Sequence, residues 1–392
     1  VAGVAGAAPR RHLHAVDLMR VLTIVLVVAV HTVSQVPVKD TVAAGALTLV
    51  FHSSREIFFV VTALVLMYGY GRRAVRWSDF WRRRYLCVAV PYAAWTLVYM
   101  LADGHWRDPA GSFLHTLGAD LLTGGAKYQL YFLLVSMQIY LCFPVIRWLI
   151  RATRDHHGLL LGACAVFQLA LSEAIHDRWS PGGLITAWVH GPDAVLPSYL
   201  LYVAAGGVAA WHLDAITTWT LAHRRRILAG AGATVVAAVA VFLVQRLALG
   251  QDTGTASAVF QPVVVVDSLA LAWTFFAAGV TWVERGMPLR RVVAALSDSS
   301  FGIYLAHPLV LMGLTTVAGP LGLLSASPRA PLVLVLVVVV GVVVPLAYGI
   351  GALPALLLRR TPLSLAMSGR PHRRSPSTTT APAHTAGSVV AA

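Results

Sequence analysis

Charge is scarce in this 392-residue chain. Asp, Glu, Lys and Arg together make up 12% of the residues, against 58% hydrophobic, and acidic side chains number 16. With a mean hydropathy of +0.73, a chain of this length does not have the polar surface of a soluble domain. Cysteine is scarcer still. Cys87, Cys142 and Cys164 lie in or beside apolar runs without metal-ligand spacing, so no redox or metal role is assigned to them. The sequence has no G-x-S-x-G elbow, no H-E-x-x-H, no P-loop and no glycine-rich dinucleotide fingerprint, which removes the common hydrolase, zinc-protease and nucleotide-binding readings. No internal repeat of the kind common in secondary transporters is visible.

Long apolar runs are what the chain does have. Stretches of about 20 residues, the length that spans a bilayer, recur near 17–37, 50–71, 85–103, 128–147, 157–176, 195–213, 227–248, 262–283, 299–318 and 331–357. The fold class expected is therefore an all-α polytopic membrane protein of about ten transmembrane helices. The net charge of +14 suggests nucleic acid only until it is mapped. All but seven of the 30 basic residues fall in alternate loops and at the two ends; the exceptions are Lys39, Arg55, Arg107, Lys127, Arg178, Arg246 and Arg329. That asymmetry predicts both termini cytoplasmic, a multi-pass protein of the cell membrane, and no nucleic-acid partner. The first fifteen residues show no cleavable apolar core, so the first run is expected to stay as a helix. Residues 1–360 form one ten-helix membrane domain in this reading. Residues 361–392, rich in Ser, Thr, Pro and Ala, form a disordered cytoplasmic tail. The outer loops around 104–127 and 177–194 have room for short interfacial helices.

The first run carries the sharpest signal. Arg20 and His31 are separated by VLTIVLVVAV. Eleven steps of about 100° return His31 to within roughly 20° of the Arg20 face, ~16 Å along it. Ionisable groups in such a run are functional candidates, although a snorkelling arginine and a packing histidine explain them equally well. Glu56, at the expected outer edge of the second run, is either a solvated end group or a partner that raises the basicity of His31. The 71–85 loop holds six arginines, Arg82, Arg83 and Arg84 among them, interleaved with Trp77 and Trp81. It is either a topology signal or a phosphate-binding patch. The aromatics of Lys127-Tyr128-Gln129-Leu130-Tyr131 read most simply as an interfacial belt. Further on, Asp298, Ser299 or Ser300 is expected to cap a helix that Pro308 bends. Tyr304 and His307 share one face of it, lining a cavity or bonding across helices. The His12-x4-Asp17 spacing has no companion motif and reads as chance.

Five stretches, taken in order, resemble the acyltransferase 3 family of integral membrane O-acyltransferases. They are Asp17-Leu18-Met19-Arg20 to His31; Glu56-Ile57-Phe58-Phe59-Val60; Phe80-Trp81-Arg82-Arg83-Arg84 with Pro91-Tyr92; Tyr131-Phe132-Leu133 with Gln138, Tyr140 and Pro144; and Ser300-Phe301-Gly302-Ile303-Tyr304-Leu305-Ala306-His307-Pro308. The resemblance covers roughly residues 10–358. It implies a ten-helix core and an acyl-CoA donor on the cytoplasmic side. It also implies that His31 is the essential histidine with Arg20 as its companion, and that Arg82–Arg84 occupy the basic cytoplasmic motif. The chain departs from the pattern at Thr62-Ala63-Leu64, at Leu86 and Cys87, and at Gln129, where the family commonly has histidine. A glutamine cannot act as a base there.

The function expected is transfer of an acyl group, acetyl in the simplest case, from acyl-CoA to a hydroxyl of a sugar, glycan or glycosylated metabolite. His31 and Glu56 are the catalytic candidates. Arg20, Asp17, Arg82, Arg83, Arg84, Tyr304 and His307 are the substrate-binding ones. The reading requires no metal and no bound cofactor; acyl-CoA is a co-substrate, the bilayer is the surrounding partner, and a homo-oligomer is left open. A transporter of a polar or glycosylated metabolite would use the same intramembrane charges as a path. A catalytically dead scaffold would have no use for both Arg20 and His31.

Overall fold

The computed structural model describes residues 12–35, 41–318, 345–346, 348–349, 361 and 364–369. The expected tenth span, 331–357, lies almost wholly outside them, as do Arg10, Arg11, Lys39, Arg329, Arg359, Arg360 and most of the segment after 361. The described residues form helices and turns, without a strand. An apolar chain in lipid has no water to take its backbone hydrogen bonds, and a helix satisfies them within one segment.

In chain order the helices are α1 (His14–Gln35), α2 (Val42–Phe51), α3 (Ser54–Tyr70), α4 (Trp77–Ala102), α5 (Ala110–Thr123), α6 (Tyr131–Ala152), α7 (His157–His176), α8 (Gly183–His190), α9 (Leu200–Trp211), α10 (Leu213–Leu243), α11 (Thr253–Ala256), α12 (Pro262–Glu284), α13 (Arg290–Ala318) and α14 (Ser364–Ser368). Among the described residues seven helical segments are long and apolar enough to cross a membrane. The two outer loops do carry short helices, α5 and α8. Each of the first nine expected spans coincides with helix, but several boundaries move. The second span begins at Val42 and is interrupted at His52 and Ser53. The seventh is the second half of a long helix kinked at His223. The ninth begins at Arg290, so Asp298, Ser299 and Ser300 lie inside α13 and do not cap it. The charged first turns of α13 hid its start, because apolarity marks only the part of a helix that meets lipid.

Contacts between the helices give their relative directions. Ser297 near the start of α13 donates to Asp17 near the start of α1 at 3.2 Å, and His307 further along α13 stacks on His31 further along α1. The two helices therefore run the same way, as the first and ninth spans of an alternating path must. Loops expected on one side also meet one another: Arg147 donates to the Arg73 carbonyl at 2.6 Å and Arg72 to that of Trp211 at 3.1 Å. On the other side Arg55 reaches Asp193 and His52 reaches the Ser257 carbonyl.

Within a bilayer, apolar side chains gain little by leaving lipid, so close backbone approach and polar contacts hold helices together. Gly206 of α9 lies against the Val60 backbone of α3, and Gly279 of α12 against that of Ala15; a Cβ at either would overlap the carbonyl oxygen. Short α14, within the range assigned to the tail, packs on α4 and α13. The Trp95 indole donates to the Met367 carbonyl at 3.3 Å, and Gly369 is buried against Cys87 and Phe301. Gly206→Val should cost about 1–3 kcal/mol or more through overpacking. It should lower the apparent melting temperature of the purified protein, while Gly230→Val, where a Cβ meets nothing, should not.

Candidate active site

The stripe Arg20, Ile24, Val27, His31 on α1 recurs every third or fourth residue, as one helical face requires. It faces a matching stripe on α13: Ser297, Phe301, Tyr304 and His307. At the lower end of this pair the Asp17 carboxylate is buried and fully engaged. It accepts from His12 at 2.7 Å, His14 at 3.4 Å and Ser297. The His12–Asp17 spacing is thus a real contact, and it ties the entrance of α1 to α13. The nearest ligand atoms of His12, His14 and Asp17 lie within 4.8 Å of one another, as a metal site would need. However, Asp17 already has three donors, and Arg290 approaches the other nitrogen of His14 at 3.4 Å. Hydrogen bonding therefore accounts for the cluster.

Above Asp17 a cavity of about 340 Å³ opens among α1, α3, α4, α6 and α13. Arg20 and Arg84 supply its positive charge, and Asp298, Ser300, Tyr140 and Tyr304 are among its other polar groups. Phe58, Phe132 and Phe301 form apolar wall. Of the three expected arginines only Arg84 turns inward, because successive helical residues are about 100° apart. Its guanidinium lies 5.5 to 6.0 Å from the rings of Tyr70, Phe80 and Tyr140. Arg82 and Arg83 are exposed. Trp77 and Trp81 are not open stacking platforms: Trp81 donates to the Tyr140 carbonyl at 2.9 Å, and Trp77 packs on Phe80 and Phe143.

His31 is not part of the cavity wall. Its ring lies 4.2 Å from that of Tyr128 and 5.3 Å from that of His307. Tyr304 belongs to both regions: it lines the cavity, donates across helices to the Gln129 carbonyl, and its ring is 6.0 Å from that of His307. Tyr128 and Gln129 are therefore interior groups and not an interfacial belt. The Tyr128 hydroxyl, both side-chain amide atoms of Gln129 and Nε2 of His307 are buried without a hydrogen-bond partner. Unpaired buried polar atoms are uncommon in native folds, and these are candidate contacts for a ligand.

The expected Glu56–His31 contact is not made. The Glu56 side chain is 3% exposed and accepts from Arg55 Nε at 2.6 Å, while its second oxygen has no partner. Arg55, counted above among outer-loop charges, is largely buried, its side chain 11% exposed. It also donates to Tyr131 at 3.2 Å and Asp193 at 2.6 Å, and its guanidinium lies 4.3 Å from the Phe260 ring. Two helical turns of chain had been missing from the start of this span, so both residues lie well inside it. Asp267 was also missed. It is 1% exposed and accepts from Ser53 at 3.2 Å and Thr234 at 2.9 Å. One acidic residue inside VVVVDSLALAW was a sufficient signal.

A family model described as an acyltransferase domain matches residues 13–349. No curated protein and no solved structure matches the chain. The matched range includes every helix that builds the cavity walls around Arg20 and Arg84, as well as the His31–His307 pair.

The Arg55 cluster generates a stability prediction. Removing one partner of a buried pair leaves an uncompensated charge and costs about 3–5 kcal/mol. Arg55→Met should accordingly abolish stable insertion or sharply lower the melting temperature in detergent. Arg55→Met combined with Glu56→Gln should recover much of the loss, since the orphaned carboxylate is gone.

Proposed function

The chain belongs to the acyltransferase 3 family, and on that premise we propose that it moves an acyl group, acetyl in the simplest case, from acyl-CoA to a hydroxyl of a sugar, glycan or glycosylated metabolite at the cell membrane. The supporting observation is the cavity, in which Arg20 and Arg84 converge on a space that ends at Tyr304, next to the His31–His307 pair. Its volume is at the small end of ligand pockets and suits a thin thioester arm better than a nucleotide. Exposed Arg82 and Arg83 are placed for phosphates that stay in water, and the inward guanidiniums for the polarised carbonyl oxygen.

In this mechanism His31 takes the proton of the acceptor hydroxyl as that oxygen attacks the thioester carbonyl. The new C–O bond forms, the C–S bond breaks, and the thiolate leaves with the proton returned from the imidazolium. Positive groups aimed at the carbonyl oxygen stabilise the charge that develops on it. Glu56 has no step here; its role is to neutralise Arg55. The donor enters from the arginine-rich side and the acceptor from the His31 end. A family match over residues 13–349 favours this enzyme over a transporter built on the same charges.

His31→Ala should lower acyl transfer by about 10²–10⁴-fold, the usual contribution of a general base, with acyl-CoA affinity nearly unchanged. Full activity of a properly inserted variant would remove His31 from the mechanism. The arginines should separate. Arg84→Gln should chiefly lower kcat, whereas Arg82→Gln with Arg83→Gln should weaken acyl-CoA binding and flatten its salt dependence, since screening acts on the charges removed. Binding titrations at low and high salt distinguish the two.

A further inference from the structure

Pro308 removes one hydrogen bond from α13. It has no N–H, so the Tyr304 carbonyl four residues earlier lacks its helical donor. The His307 ring fills the gap: its Nδ1 lies 2.7 Å from the Tyr304 oxygen. A carbonyl only accepts, so the proton on a neutral His307 ring must be on Nδ1, and Nε2 must carry the lone pair. That Nε2 is buried without a partner, in a side chain 0% exposed. It belongs to the ring that stacks 5.3 Å from His31 at an interplanar angle of 25°. The Tyr128 hydroxyl, also buried and unpartnered, flanks His31 on its own ring contact.

We infer that His307 reads the acceptor: its Nε2, held as a lone pair by the Pro308 gap, accepts a hydrogen bond from a second hydroxyl of the molecule whose first hydroxyl His31 deprotonates. A buried acceptor atom left unpaired keeps the full cost of its desolvation. A ligand that supplies a donor recovers that energy, and one that lacks it does not. This deepens the acyltransferase reading and rests on it for the role of His31. It adds a requirement on the acceptor: two hydroxyls close enough to meet two imidazoles in one stack. Pro308 is then a positioning residue, acting only through the His307 tautomer.

The tautomer is measurable without any activity. Protein labelled with ¹⁵N-histidine, in lipid nanodiscs, should show His307 protonated at Nδ1 and bare at Nε2, the reverse of the usual preference of a free histidine side chain. In Pro308→Ala the restored N–H should reclaim the Tyr304 carbonyl, and a population protonated at Nε2 should appear. Glycerol, as a small polyol probe, should shift the bare Nε2 resonance, and propan-1-ol at equal concentration should not. His307→Asn keeps a donor near the Nδ1 position but has no lone pair at Nε2. It should cut acylated product at least about 10-fold with acyl-CoA affinity within about twofold, as expected when a site loses a specific hydroxyl contact. A His307 protonated at Nε2, or a tautomer indifferent to Pro308→Ala, overturns the Pro308 role. Equal response to both alcohols, or to neither, overturns polyol recognition, as does a fully active His307→Asn. None of the spectroscopic results depends on whether acyl-CoA is the donor, so failure here is separable from failure of the acyltransferase reading.

Discussion

A guanidinium buried in an apolar bundle constrains much of this structure. Arg55 cannot be left unpaired among helices, and it draws its partners from distant parts of the chain: Glu56 beside it, Tyr131 at the start of α6 and Asp193 in the loop before α9. The rings of Tyr199 and Phe260 cover its face at 5.4 and 4.3 Å. These contacts tie α3, α6 and the 191–199 segment together. Dispersion alone would not select that arrangement, since lipid tails offer apolar helices similar contacts. The same demand operates at Asp267, held by Ser53 and Thr234, and at Asp17, held by two histidines and a serine. Polar pairing sets the register, and glycines such as Gly206 and Gly279 allow the backbones to come close enough to keep it.

The region around His31 holds several polar groups without a hydrogen-bond partner: His307 Nε2, the Tyr128 hydroxyl and the Gln129 amide. Asp17 and Asp267 by contrast are engaged at both oxygens, while the Arg55 cluster leaves one guanidinium nitrogen and one Glu56 oxygen unpaired. A membrane interior makes such atoms expensive. The parallel pairing of α1 and α13 is what builds the region around His31. Two helices running the same way bring Asp17 to Ser297 at one end and His31 to His307 at the other, with the cavity between. Tyr304 connects the two regions by lining the cavity and bonding to the Gln129 backbone. Gln129, where the resemblance leads one to expect histidine, follows Tyr128, whose ring packs on His31, and its carbonyl accepts from Tyr304.

Much of this was legible in the amino-acid sequence, and the exceptions share a cause. Apolar length is a property of single residues summed over a window, so the all-helical class, the long apolar helices and the family resemblance could be read without knowing any contact. The Arg20–His31 stripe was legible for the same reason: helical phase is local. Where a helix carries charge in its first turns, as α13 does, the apolar signal starts late, and Asp298 to Ser300 were displaced from the interior to a cap. Apolarity alone puts Arg55 in an outer loop and Glu56 at a span edge, because the turns of α2 before them read as loop.

By itself the sequence determined that the chain is a bundle of membrane-length helices, which face of α1 is polar, and which family's motifs it carries, because composition and periodicity decide these segment by segment. Tertiary structure alone decided the partners. Glu56 neutralises Arg55 and not His31, Arg84 and not its two neighbours turns into the cavity, and His307 takes the place beside His31. It also decided which polar atoms are left without a donor. Pairing of this kind depends on which helices lie side by side and in which direction, and no local pattern encodes that.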